Sequence, residues 1–202
     1  IVLAYVDDLI VLSPYDDYDG WLRASLGTSR NWVINSLGPI RSFIGISVTR
    51  DWDAGKLKLA QPGLVDKAVR GYFGSGTADL KPSKVPCSHN RVLTKDDSPP
   101  LEGRDEKCLT AQSAYRRCVA ECLYISRMTR PDIAFAVARL GRYTSNPGQS
   151  HMEELKILLR YLNATSDVGL TYASDPSSLG LRFSAYADAD YASEVDTRKS
   201  TS

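Results

Sequence analysis

Two adjacent aspartates, Asp7 and Asp8, interrupt an apolar run that extends from Ile1-Val2-Leu3-Ala4 on one side to Leu9-Ile10-Val11-Leu12 on the other. β-Branched and aliphatic residues on both sides read as two buried strands. The aspartates then fall where one strand turns back on the other. No glycine stands at that turn, and two like charges side by side near a core are costly unless a cation compensates them. A divalent metal resolves the conflict. Carboxylate oxygens suit Mg²⁺ or Mn²⁺, which bind through one or two carboxylates plus substrate phosphates and so serve phosphoryl or nucleotidyl transfer. The other reading of the dyad, taken alone, is an acidic turn solvated at a hairpin tip.

Composition narrows the class of protein. With 43% hydrophobic and 24% charged residues among 202, the chain is an ordinary globular sequence rather than a disordered one. No apolar run approaches the roughly 20 residues that span a bilayer, and no charged-then-apolar leader precedes the first strand, so a soluble, intracellular protein without a membrane partner is expected. Cys87, Cys108, Cys118 and Cys122 show no C-x-x-C spacing, which argues against a zinc site or a disulfide framework. Cys118 and Cys122, four apart on an expected helix, read as small core residues. Net charge is only +1, yet Lys107, Arg116, Arg117, Arg127, Arg130, Arg139, Arg142, Lys156 and Arg160 face only Glu121, Asp132, Glu153 and Glu154 between residues 107 and 161. Arginine suits bidentate phosphate contact. The alternative is a solvated face on a helical bundle.

Along the chain, a helix over 15–26 carries Trp21, Leu22 and Leu26 on one face. Strand-like segments follow at 31–35, 40–50 and 56–61, the last two joined by Asp51-Trp52-Asp53-Ala54-Gly55. Gly45, inside the second of these, marks either a bulge or a close backbone approach. Pro62 opens a helix through about Phe73, with Leu64, Ala68 and Phe73 or Tyr72 inward. The stretch 74–107, rich in proline and glycine among polar residues, reads as a linker. Three helices follow. The first covers about 110–127, with Tyr115, Cys118, Val119, Cys122 and Leu123 on one stripe. The second starts at Pro131 and ends before Asn146-Pro147-Gly148. The third opens on Ser150-His151-Met152-Glu153 as a capping box, with Met152, Leu155, Leu159 and Leu162 as its apolar face. Two strands, 168–172 and 181–187, close the pattern, and Asp188 ends the last of them.

Leu3-Ala4-Tyr5-Val6-Asp7-Asp8-Leu9-Ile10-Val11 closely resembles the palm hairpin of reverse transcriptases of the Ty1/copia retrotransposon type. Further blocks follow in that family's order. Asn35-Ser36-Leu37-Gly38 with Ser42-Phe43-Ile44-Gly45-Ile46 is similar to its leucine-glycine turn and primer-grip strand. Thr129-Arg130-Pro131-Asp132-Ile133-Ala134-Phe135-Ala136-Val137 resembles a block downstream of the polymerase core. Tyr186-Ala187-Asp188-Ala189-Asp190-Tyr191-Ala192, with Asp196-Thr197-Arg198-Lys199-Ser200-Thr201-Ser202, is similar to the opening of the family's ribonuclease H domain.

The resemblance implies an α+β fold: a partial palm sheet over 1–61, a thumb-like helix and linker over 62–106, a three-helix thumb or connection region over 107–165, and the opening strands of a ribonuclease H-like domain over 166–202. It implies RNA-directed DNA synthesis by two-metal nucleotidyl transfer. Asp7 and Asp8 would be two of three palm carboxylates on Mg²⁺ or Mn²⁺, and Asp188 the first metal-binding carboxylate of ribonuclease H. Tyr5, Val6, Phe43, Ile44 and Gly45 would lie along the nucleic acid, and Arg116, Arg127 and Arg142 on its phosphates. The implied partners are an RNA or DNA template-primer, deoxynucleoside triphosphates and the rest of a Pol polyprotein, in the cytoplasm or a virus-like particle. The family's third palm aspartate and its fingers precede the hairpin, and further ribonuclease H carboxylates follow residue 202, so this stretch by itself is expected to be inactive. The alternative is a non-enzymatic retroelement remnant with at most weak nucleic-acid binding.

Overall fold

A computed structural model of the chain describes residues 1–13, 20, 24, 35–74, 77, 79–100, 102, 105–174, 185–187 and 196. Most of the expected helix over 15–26, most of the strand over 31–35 and most of that over 181–187 lie outside these residues. Two compact units divide the chain, Ile1–Phe43 and Ile44–Ser202.

In the first unit the apolar arms pair as expected. β1 (Val2–Tyr5) and β2 (Asp8–Val11) run antiparallel with Val2 opposite Val11 and Tyr5 opposite Asp8. Beyond the strands, the Leu12 N–H donates to the Ile1 carbonyl at 2.8 Å. The arms are not buried, however: Ile1 is 80%, Leu3 52% and Leu12 51% exposed. A two-stranded ribbon has no opposing layer of its own, so β-branched composition alone does not bury it. Gly38 adopts φ +72° in the leucine-glycine segment, a conformation open to glycine at little steric cost, and β3 (Ser42–Phe43) ends the unit.

Among the described residues, the second unit joins a small sheet to four helices. β4 (Ile46–Asp51), β5 (Lys56–Ala60) and β6 (Leu170–Ala173) form consecutive antiparallel pairs, with Val48 opposite Leu59 and Leu59 opposite Leu170. The expected continuous strand over 40–50 is broken at Ile44-Gly45, where both residues take positive φ, +43° and +78°. A strand cannot run through such a pair, which is turn geometry.

α1 (Pro62–Phe73) matches its predicted span. Pro62 occupies the first turn, where a missing N–H costs no hydrogen bond. Gly74 at φ +79° ends the helix by donating its N–H to the Arg70 carbonyl. Its inward face is Val65, Ala68 and Val69, with Leu64 only half-buried, one step round from the expected stripe. α2 (Glu106–Met128) starts earlier than predicted because Asp105 caps it, its carboxylate accepting the Cys108 N–H at 2.8 Å. The helix expected at Pro131 opens instead as a 3₁₀ turn, Pro131–Ile133, before α3 (Ala134–Gly141). α4 (Gln149–Ala164) begins a residue ahead of the expected capping box.

Val69 of α1, Tyr115, Cys118, Cys122 and Ile125 of α2, Val137 and Leu140 of α3, and Leu155, Leu158, Leu159 and Leu162 of α4 form one buried cluster. Cys118 and Cys122 are reduced core residues, as predicted. The Cys122 thiol is pushed well above its usual range by its hydrogen bond with Cys118 and by burial.

The stretch read as a linker is tied down along the bundle. Leu93 is buried in the core cluster. Ser88 donates its N–H and hydroxyl to the buried Glu154 carboxylate, Tyr143 donates to the Leu93 carbonyl at 2.7 Å, and Asn146 to the Pro99 carbonyl at 2.9 Å. Side chains of the bundle therefore satisfy backbone groups of this stretch.

Candidate functional site

The hairpin tip places Asp7 in the turn and Asp8 as the first residue of β2. Val6 takes φ +52°, unusual for a β-branched residue. Asp7 and Asp8 are both exposed, and neither carboxylate has a hydrogen-bond or ion-pair partner among the described residues. The edge of the Tyr5 ring meets Phe43, centroids 6.3 Å apart at 75°, so two sequence-selected residues from opposite ends of the first unit come together. Two hard carboxylate oxygen donors suit Mg²⁺ or Mn²⁺ in type. They are an incomplete set in number: among the described residues no group of three or more His, Cys, Asp or Glu could hold a metal ion. Asp188 lies outside the described residues.

In the second unit, Ile44 and Gly45 form the turn ahead of β4, and two helices hold it. Tyr124 of α2 donates its hydroxyl to the Ile44 carbonyl at 2.8 Å. Leu64 of α1 sits so close that a Cβ on Gly45 would lie 2.8 Å from its Cδ1. Local pattern had placed Leu64 inward but pointed to no role for Tyr124, because its hydrogen bond joins positions 80 apart in sequence.

Six of the basic residues differ in how the fold holds them. Arg130 is 1% exposed; its Nε and Nη2 donate to Asp132 at 2.9 and 2.8 Å, and its Nη1 and Nη2 to the Thr165 carbonyl and hydroxyl at 2.7 and 2.8 Å. Burial opposes the charge of Asp132, but the Arg130 and Tyr161 hydrogen bonds and the Arg130 charge outweigh it and hold the carboxyl below its usual range. Arg117 donates to the Gly71 carbonyl and Arg139 to the Arg91 carbonyl, both at 2.6 Å. Arg130 is buried and Arg139 half-buried, whereas Arg117 is exposed and still tied to the backbone. Arg116, Arg127 and Arg142 remain exposed, with Arg116 Nε only 3.5 Å from the Thr144 carbonyl. Arg116 and Arg127 share a face of α2, about 16 Å apart along its axis at 1.5 Å per residue.

No family model matches the chain, and no solved structure is significantly similar to it. Curated relatives are more informative. The chain is 32% identical over 202 residues to the Retrovirus-related Pol polyprotein from transposon TNT 1-94 of Nicotiana tabacum, all of this chain against 14% of the relative. It is 37% identical over 202 residues to that from transposon RE2 of Arabidopsis thaliana, with 99% of this chain and 12% of the relative covered. A putative transposon Ty5-1 protein of Saccharomyces cerevisiae is 27% identical over 201 residues, with 99% of this chain and 59% of the relative covered. The chain thus spans only part of each relative. Along its whole length it is homologous to a segment of copia-type retrotransposon Pol polyproteins.

Proposed function

We propose that this chain is the part of a retroelement reverse transcriptase that runs from the palm hairpin through the helices after it, and that Asp7 and Asp8 are carboxylates of the polymerase metal site. The observation that carries the reading is the hairpin itself: a two-residue turn with Tyr5 opposite Asp8, presenting both aspartates at the tip of apolar arms. Exposure of those arms supports it as well, since strands apolar on both faces suit the middle of a layered sheet built with other parts of a polyprotein. When bound, Mg²⁺ would activate the primer hydroxyl and neutralise charge on the leaving pyrophosphate. The chain's own part is to hold carboxylate oxygens at the tip, to place Tyr5 and Phe43 as an aromatic pair beside it, and to offer Arg116, Arg127 and Arg142 to template-primer phosphates. Asp188 as a ribonuclease H ligand rests on the resemblance of its flanking residues.

Asp7→Asn in the full-length Pol polyprotein tests this. Primer extension should fall by about 10²-fold or more, because developing charge loses a carboxylate-held metal, while template-primer affinity changes little. Extension at the unsubstituted rate overturns the proposal.

A further inference from the structure

We infer that Tyr124 and Leu64 are positioning residues that hold the Ile44-Gly45 turn, and through it a primer terminus, from the helical bundle. The inference rests on the polymerase reading above, in which that turn lies along the nucleic acid.

Ile44 is a β-branched residue at φ +43°, a conformation that persists only where the surroundings over-determine it. Two elements of the second unit supply that constraint. Tyr124 on α2 anchors the turn's backbone through the Ile44 carbonyl at 2.8 Å. Leu64 on α1 fills the space beneath Gly45, where a side chain would collide with it. The turn backbone is therefore referenced to α1 and α2 rather than to its own strand alone. Displacing a substrate-positioning group by about 1 Å can cost about 10² in rate, so a turn that aligns a primer end must be held from outside. A merely structural tyrosine would change stability. A positioning tyrosine changes rate.

Tyr124 lines an open groove of about 330 Å³ with Leu64, Lys67, Arg117, Ala120 and Glu121. Water can reach the Ile44 carbonyl once the hydroxyl is gone, so Tyr124→Phe should keep its fold. Leu64→Ala is the second variant, acting from the other helix.

The experiment measures single-nucleotide addition, template-primer affinity and thermal unfolding in the full-length Pol polyprotein. Tyr124→Phe should lower kcat about five- to tenfold, leave template-primer affinity within about twofold, and show no further loss when combined with Gly45→Ala, since both act through one turn. Leu64→Ala should lower kcat in the same way. Tyr161→Phe, which removes a hydroxyl bonded to Asp132 instead, should leave kcat unchanged. Wild-type rate in Tyr124→Phe with Asp7→Asn dead, or effects that simply add with Gly45→Ala, overturns the positioning role alone. An active Asp7→Asn protein overturns the polymerase reading, and the positioning role with it.

Discussion

His151 closes the N-terminus of α4 in its neutral form. Its Nδ1 accepts the Gly148 N–H at 2.8 Å, and its ring stacks on Tyr143 with centroids 4.0 Å apart. A nitrogen that accepts this bond carries no proton. Burial lowers the His151 pKa from its ordinary 6.5, against the opposing pull of Asp97, the Thr94 backbone and Asp196. The unfolded chain thus takes up a proton at higher pH than the folded one, so the site's contribution to stability is complete above the unfolded value and drains away as pH falls through the lowered folded value. The thermal midpoint should drop between about pH 7 and pH 5. His151→Gln, whose amide oxygen can accept the same bond without titrating, should show a flatter profile over that window. Superimposable pH profiles for the two proteins would refute the assignment.

At the scale of elements, the turn from α2 into α3 is locked by Arg130. Its guanidinium is buried, pairs with Asp132 through two bonds, and reaches across to Thr165 at the end of α4. Removing one partner of a buried pair leaves charge uncompensated and costs about 3–5 kcal/mol, less here because Asp132 is 36% exposed. Asp132→Asn should therefore destabilise by about 2–3 kcal/mol, a drop of several degrees in Tm for a chain of this size. The exposed Asp167→Asn should stay within about 0.5 kcal/mol. Equal unfolding curves for the two variants would show that the clasp contributes nothing. Element ends were legible where a local signal sets them: Pro62 and Gly74 bound α1 as read. They were misplaced where the cap is a single carboxylate, as at Asp105, or where positive φ interrupts an apolar run, as at Ile44-Gly45, because hydrophobic periodicity carries no information about either.

For the whole molecule, the fold sorts the arginines that composition had grouped. Arg130 is buried and Arg139 half-buried on carboxylate or backbone groups, Arg117 is exposed but bonded to the Gly71 carbonyl, and Arg116, Arg127 and Arg142, the three assigned to phosphates, are exposed. If these three neutralise phosphates, replacing them with Gln should flatten the salt dependence of template-primer binding by the full-length Pol polyprotein by up to about three units, at roughly 0.9 per phosphate. The loss should be uniform across sequences, as phosphate contacts carry no base information. An unchanged slope in a folded triple variant would leave them as solvated surface. Among the described residues no helix is long and apolar enough to cross a membrane.

What the sequence by itself determined lies within a few residues of its signal. Continuous apolar arms located the Asp7-Asp8 hairpin, a proline and a glycine bracketed α1, and helical spacing put Cys118 and Cys122 in the core. Four ordered blocks pointed to the retrotransposon relatives that similarity over the whole chain bears out. Only the tertiary structure decided that residues 88–99 bind along the bundle, that Arg130 is sequestered, and that Tyr124 and Leu64 hold the Ile44-Gly45 turn. Those contacts join positions from 19 to 80 apart in sequence. A hydrogen bond between distant residues leaves no periodic trace in either segment, because its energy depends on where the chain brings the two groups and not on which neighbours each has along it.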